Sequence, residues 1–111
     1  DAEDGINLRE AKTLIERALV LDPDNGAYLD SLGWGSYRLG QVDEAIRHLE
    51  RAASLVDDDA ATFDHLGQAY FTQGDFARAE LAWRKALELD PYLEDIKRHL
   101  ERLMHRQVTV P

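Results

Sequence analysis

Four histidines, His48, His65, His99 and His105, and an acidic triplet, Asp57, Asp58 and Asp59, are the residues of this chain best suited to metal or acid–base chemistry. A zinc site on a helix sets two ligands four residues apart beside a carboxylate, and no pair of these histidines has that spacing. A calcium loop needs a glycine and a distal glutamate that the aspartate run lacks. The triplet reads instead as a turn leading into a helix N-cap. There is no phosphate-cradling glycine loop and no nucleophile motif. With no cysteine in the chain, disulfides and thiolate metal sites are excluded. No catalytic residue, metal ligand or cofactor site is assigned, and the expectation is a chain that is not an enzyme. The chemistry left is that of a surface, so the elements that present it come next.

The segments "LDSLGWGSYRLGQVDEAIRHLERA" and "FDHLGQAYFTQGDFARAELAWRKA" begin at Leu29 and Phe63, 34 residues apart. At that step Leu32, Gly33, Gly40 and Ala45 recur identically as Leu66, Gly67, Gly74 and Ala79, while Glu44 becomes Arg78. Ala11, Ala45 and Ala79 share one register position across three copies, as do Ala18, Ala52 and Ala86. Pro23 and Pro91 stand two steps apart, with Asp57 between them. A period of this length with small residues at fixed places marks stacked helical hairpins. Each glycine inside a helix costs about 1 kcal/mol relative to alanine, so the interior glycines need a reason. Gly33 and Gly67 are expected where the partner helix brings its bulk close. Gly40 and Gly74 are expected to close a helix in the left-handed conformation. Together with Gly35 they are read as spacers and stops, with Leu49 and Trp83 filling the space between helices.

This spelling resembles the tetratricopeptide repeat family. The second repeat follows the family pattern closely through Phe63, Leu66, Gly67, Tyr70, Gly74, Ala79, Trp83, Ala86 and Pro91. The first departs at Ser36, where an aromatic is usual and Tyr37 stands next to it, and at Asp57, where proline is usual. The succession "YLDSLGW" and "DHLGQAY" resembles bacterial tetratricopeptide proteins of the cell envelope, some of which act as adaptors. The resemblance implies an all-α, right-handed helical-hairpin solenoid. Residues 1–25 supply the second helix of an incomplete repeat, 26–59 and 60–93 are full repeats, and 94–111 form a capping helix and tail. Helices are predicted near 7–21, 26–39, 42–55, 60–73, 76–89 and 92–106. Ile96, Leu100 and Leu103 face inward on the last, under the polar outer face that a terminal cap requires.

In this family the far side of each first helix lines a concave groove. The 100° step per residue puts Asp30, Trp34, Tyr37 and Arg38 on that side of one helix. One repeat on, the set is Asp64, His65, Gln68, Phe71 and Thr72, and the last helix adds Arg98, His99 and Arg102. The expected groove is aromatic, acidic over its first two helices and basic at its end. Trp34 admits two readings, groove anchor or burial against a preceding helix. Tyr37 and Phe71 are equally placed for packing, Asp30 and Asp64 for plain solvation, and Arg98 and Arg102 for complementing the helix dipole. The family's clamp of Lys, Asn and Arg for a C-terminal carboxylate would fall at Asp30, Ser31, Trp34, Ala61, His65, Asp95 and His99. None of these is Lys, Asn or Arg, so the clamp is not expected.

The chain of 111 residues carries a net charge of −9. That charge repels phosphate backbones, so nucleic acid is not an expected partner. The expected partner is a protein or peptide with basic and apolar residues, recognised by helix-in-groove or extended-peptide docking. No apolar run approaches membrane-spanning length, and the residues suit a bacterial cytoplasm or periplasm alike. A chain opening on Asp1 reads as a piece of a longer one. The leading function is an adaptor or scaffold. The alternatives are self-assembly, as a homodimer through Leu14, Ile15, Ala18 and Leu19 of the unpaired first helix, and a regulatory repeat region of a larger enzyme.

Overall fold

A computed structural model describes the backbone of residues 2–109 and the side chains of residues 7–106. Six helices follow one another: α1 (Ala2–Leu21), α2 (Gly26–Arg38), α3 (Val42–Leu55), α4 (Ala60–Gln73), α5 (Phe76–Leu89) and α6 (Glu94–Thr109), with no strand among the described residues. The helices match the expected ones closely. α1 begins five residues earlier than expected, and α6 two later, because the Tyr92 N–H bonds to Asp90 Oδ1 at 3.1 Å and holds a turn there.

The starts of α2, α4 and α5 are set by side chains that accept otherwise unpaired backbone N–H groups. Asn25 takes the N–H of Tyr28 at 3.0 Å, Asp59 that of Ala61 at 3.0 Å and Asp75 that of Arg78 at 3.1 Å. The aspartate triplet thus ends in an N-cap, as its sequence predicted. The stops of α2 and α4 are set by glycine. Gly40 and Gly74 have φ of 83° and 91°, and the next residue's N–H reaches back to Ser36 and Tyr70 carbonyls at 2.9 Å in both cases. Those bonds satisfy carbonyls that a helix end leaves open.

The chain divides into two contact units, Asp1–Asp57 and Asp58–Pro111. In the first, Leu29, Leu32, Ala45, Ile46, Leu49 and Ala52 are buried between α2 and α3, and α1 packs on α2. A Cβ added at Gly33 would lie 2.6 Å from Leu49 Cγ, so the leucine occupies the space a side chain would need. The second unit repeats the arrangement with α4 and α5, where a Cβ at Gly67 would lie 2.3 Å from Trp83 Nε1. Ile96, Leu100 and Leu103 of α6 are buried as expected. Glu101 occupies the register place of Gly33 and Gly67, and it is exposed.

One expectation about the glycines is corrected. Gly35 has nothing within 4 Å of an added Cβ and no positive φ, so it is neither spacer nor stop. Gly26 was not expected to matter, yet a Cβ there would meet Val56 Cγ2 at 2.6 Å.

Candidate functional site

In the first unit, the buried face of α2 carries Leu29, Leu32, Gly33 and Ser36, as the helical period required. Asp30, Trp34 and Tyr37 are half-buried and Arg38 is exposed. Trp34 and Tyr37, one turn apart, stack with ring centroids 4.9 Å apart and planes 9° from parallel. The departure at Ser36 explains Tyr37. Serine takes the inward place, fully buried, and the aromatic at the next position turns to lie against Trp34. The result is a flat two-ring plate beside a carboxylate.

In the second unit, α4 contributes Asp64, His65, Gln68 and Phe71, all half-buried. Asp64 is not the solvated rim charge its position suggested. Its Oδ1 accepts the indole N–H of Trp83 at 3.1 Å and the amide of Gln68 at 3.2 Å, and lies 3.5 Å from Nδ1 of His99 on α6. Oδ1 of Asp64 is thus engaged within the fold. The aromatic groups run on from this point. His99 meets Trp83 at 5.1 Å, Trp83 meets Phe71 at 5.9 Å, and Phe71 meets Phe76 at 5.2 Å. The Arg106 guanidinium caps the series, 4.8 Å from the Phe76 centroid and 6.0 Å from that of Phe71. Phe71 thus belongs to the packing of its unit.

Arg98 and Arg102 are exposed on α6, and with Asp95, His99 and Glu101 they line a shallow recess of about 360 Å³. Arg98 pairs with Asp95 one turn back. The structure therefore brings Asp30, Trp34 and Tyr37 onto one face of α2, and Asp64, Gln68, Trp83 and His99 into one cluster in which Gln68 and Trp83 donate to Asp64 and His99 lies beside it. Sequence reasoning took Trp83 for filler alone and missed its donor role. Asp64 and Gln68, four apart on one helix, were a legible pair. The approach of Trp83 and His99, 19 and 35 residues from Asp64, was not.

On α1, Leu14 is 63% exposed, and Ile15, Ala18 and Leu19 are half-buried. No helix is long and apolar enough to cross a membrane, and no cluster of three potential metal ligands occurs, among the described residues.

Two tetratricopeptide repeat profiles match the chain, one over residues 4–60 and one over residues 60–93. A TPR repeat-containing protein of Pseudomonas aeruginosa is 42% identical over 59 residues, which is 53% of this chain and 10% of that protein. The chain spans between about a tenth and a quarter of the length of the curated relatives it matches. Among solved structures, the first TPR domain of Spaghetti (RPAP3), bound to the HSP90 peptide SRMEEVD, superposes with a TM-score of 0.88 at 18% identity, covering 96% of this chain and 92% of that one. PcrH, in complex with the chaperone-binding region of PopD, gives a TM-score of 0.83 at 20% identity, with 95% and 84% covered. From its repeat spelling, profiles and hairpins, the chain belongs to the tetratricopeptide repeat family, an all-α fold of protein-interaction modules.

Proposed function

We propose that the chain is a non-enzymatic adaptor or scaffold module that grips a peptide or helix of a partner protein on the outward face of α2. The Trp34–Tyr37 plate carries this reading, since two stacked rings at 4.9 Å form a rigid apolar surface beside the carboxylate of Asp30. Aromatic anchors lose little conformational entropy on binding and commonly account for about 2 kcal/mol or more each. Asp30 favours a basic residue next to the apolar one, and its charge affects rate and salt dependence more than affinity. The solved relatives with bound peptides or partner regions support the class of ligand. Arg98 and Arg102 are proposed to meet acidic groups of a bound segment at the recess on α6.

The test compares basic–apolar with acidic–apolar peptides of equal length by fluorescence anisotropy, on the parent and on Trp34→Ala. Tighter binding of the basic–apolar set, weakened about thirtyfold or more by Trp34→Ala, is the expected result. Unchanged affinity in a folded Trp34→Ala variant overturns the reading. A second reading, self-assembly through α1, rests on the exposure of Leu14. It takes over if Leu14 or Leu19 substitutions abolish association while Trp34→Ala has no effect.

A further inference from the structure

The α2 helix opens on Asn25–Gly26, and different contacts fix the two residues there. Asn25 is the N-cap: its Oδ1 accepts the Tyr28 N–H at 3.0 Å, and its Nδ2 donates to Asp22 Oδ2 at 3.0 Å. Gly26 is buried, and a Cβ there would lie 2.6 Å from Val56 Cγ2 and 3.5 Å from the Ala52 carbonyl oxygen. Any larger residue would have to displace Val56. One repeat on, the same cap is Asp59 followed by Ala60, with Asp90 in the place of Val56. Packing against Val56, and not capping, therefore puts glycine after the asparagine.

That pair is chemically labile, because a glycine has no side chain to shield its backbone nitrogen from the neighbouring carboxamide. We propose that Asn25 is a site of spontaneous deamidation, gated by opening of the first turn of α2. The Gly26 nitrogen, its proton taken by hydroxide, attacks Cγ of Asn25; the new N–C bond closes a succinimide, the Cγ–Nδ2 bond breaks and ammonia leaves. Water then opens the ring at either carbonyl, giving aspartate or isoaspartate. The capped state blocks the attack. At ψ 102° the Gly26 nitrogen lies on the side of the Cα–C bond away from Cβ, so the cap must break and ψ must turn before the ring can close. Helix ends open more readily than the whole fold, and this lets the reaction proceed from the folded chain. Aspartate at this place still accepts the Tyr28 N–H, as Asp59 accepts that of Ala61, but it loses the donor to Asp22 and sets two carboxylates side by side. Isoaspartate adds a carbon to the main chain and displaces Gly26 from its place against Val56. Both products loosen the start of α2.

The whole chain is incubated at mildly alkaline pH, folded and unfolded in urea, and sampled by tryptic digestion and mass spectrometry. Cleavage after Arg9, Arg17 and Arg38 puts Asn7 and Asn25, the two asparagines of the chain, in separate peptides. Asn7 precedes Leu8 and serves as the internal control. Deamidation is expected at Asn25 in both conditions, with aspartate and isoaspartate forms separated by chromatography, and faster than at Asn7 in urea. Folding should slow it about fivefold or more, as a cap of typical strength implies. Asp22→Ala removes the contact to Nδ2 and should raise the folded rate about twofold or more while leaving the rate in urea unchanged. Circular dichroism checks that this variant keeps its helices. Equal rates in the folded and unfolded chain, a reaction confined to urea, Asn7 reacting in urea as fast as Asn25, or a folded rate untouched by Asp22→Ala overturns the proposal.

Discussion

Ser36 is fully buried, and its Oγ finds no hydrogen-bond partner among the described residues. A buried hydroxyl that loses water without a replacement destabilises the fold. Ser36→Ala removes that group and also improves helix propensity. We expect it to raise stability by about 1 kcal/mol, read as a higher midpoint in urea denaturation; a lower midpoint would show that the hydroxyl is satisfied. Trp83 stands at the opposite extreme. It fills the space at Gly67, donates to Asp64 and contacts Phe71 and His99. Trp83→Ala should leave a cavity and cost about 3 to 5 kcal/mol, a large fraction of a small domain's stability. An unchanged thermal midpoint in the variant would contradict that packing.

Among the elements, the glycines sort by what surrounds them. Gly74 ends α4 at φ 91°, a conformation that costs any residue with a Cβ about 1 to 2 kcal/mol. Gly35 has ordinary helical surroundings and open space where a Cβ would go. Gly74→Ala should therefore destabilise by about 1 kcal/mol or more, while Gly35→Ala should stabilise by about 1 kcal/mol through helix propensity alone. Measured by chemical denaturation, shifts of the same sign for both would show that register, and not local geometry, decides the cost. α6 illustrates another element-level rule. With no second helix against its glycine place among the described residues, it tolerates the exposed Glu101 and keeps only Ile96, Leu100 and Leu103 inside.

For the molecule as a whole, the net charge of −9 on 111 residues imposes self-repulsion on the folded state. Ion pairs such as Arg51–Asp24, Arg84–Glu80 and Lys97–Glu94 are mostly exposed, and each contributes little. Net repulsion should outweigh them. The thermal midpoint is therefore expected to rise as salt increases from about 0.01 to 0.15 M, over which the screening length shrinks from about 30 to 8 Å. A falling midpoint in calorimetry would mean that the ion pairs dominate.

The repeat length, the six helices, the closing glycines and the inward residues of α6 were all legible in the sequence. They depend on periodicity and on backbone conformations that few residues adopt. The outward face of α2 was legible for the same reason, because a helix distributes its residues at a fixed angle. What Asp64 does was not legible. Its donor Trp83 and its neighbour His99 come from two other helices, and whether a side chain at a helix surface meets water or a donor depends on how those helices pack. The same holds for Trp34 and Tyr37. Their spacing put both on the outward side, but only the folded structure shows their rings parallel with centroids 4.9 Å apart. Local periodicity decided where the elements lie, and the close approach of separate helices decided which of their side chains remain available to a partner.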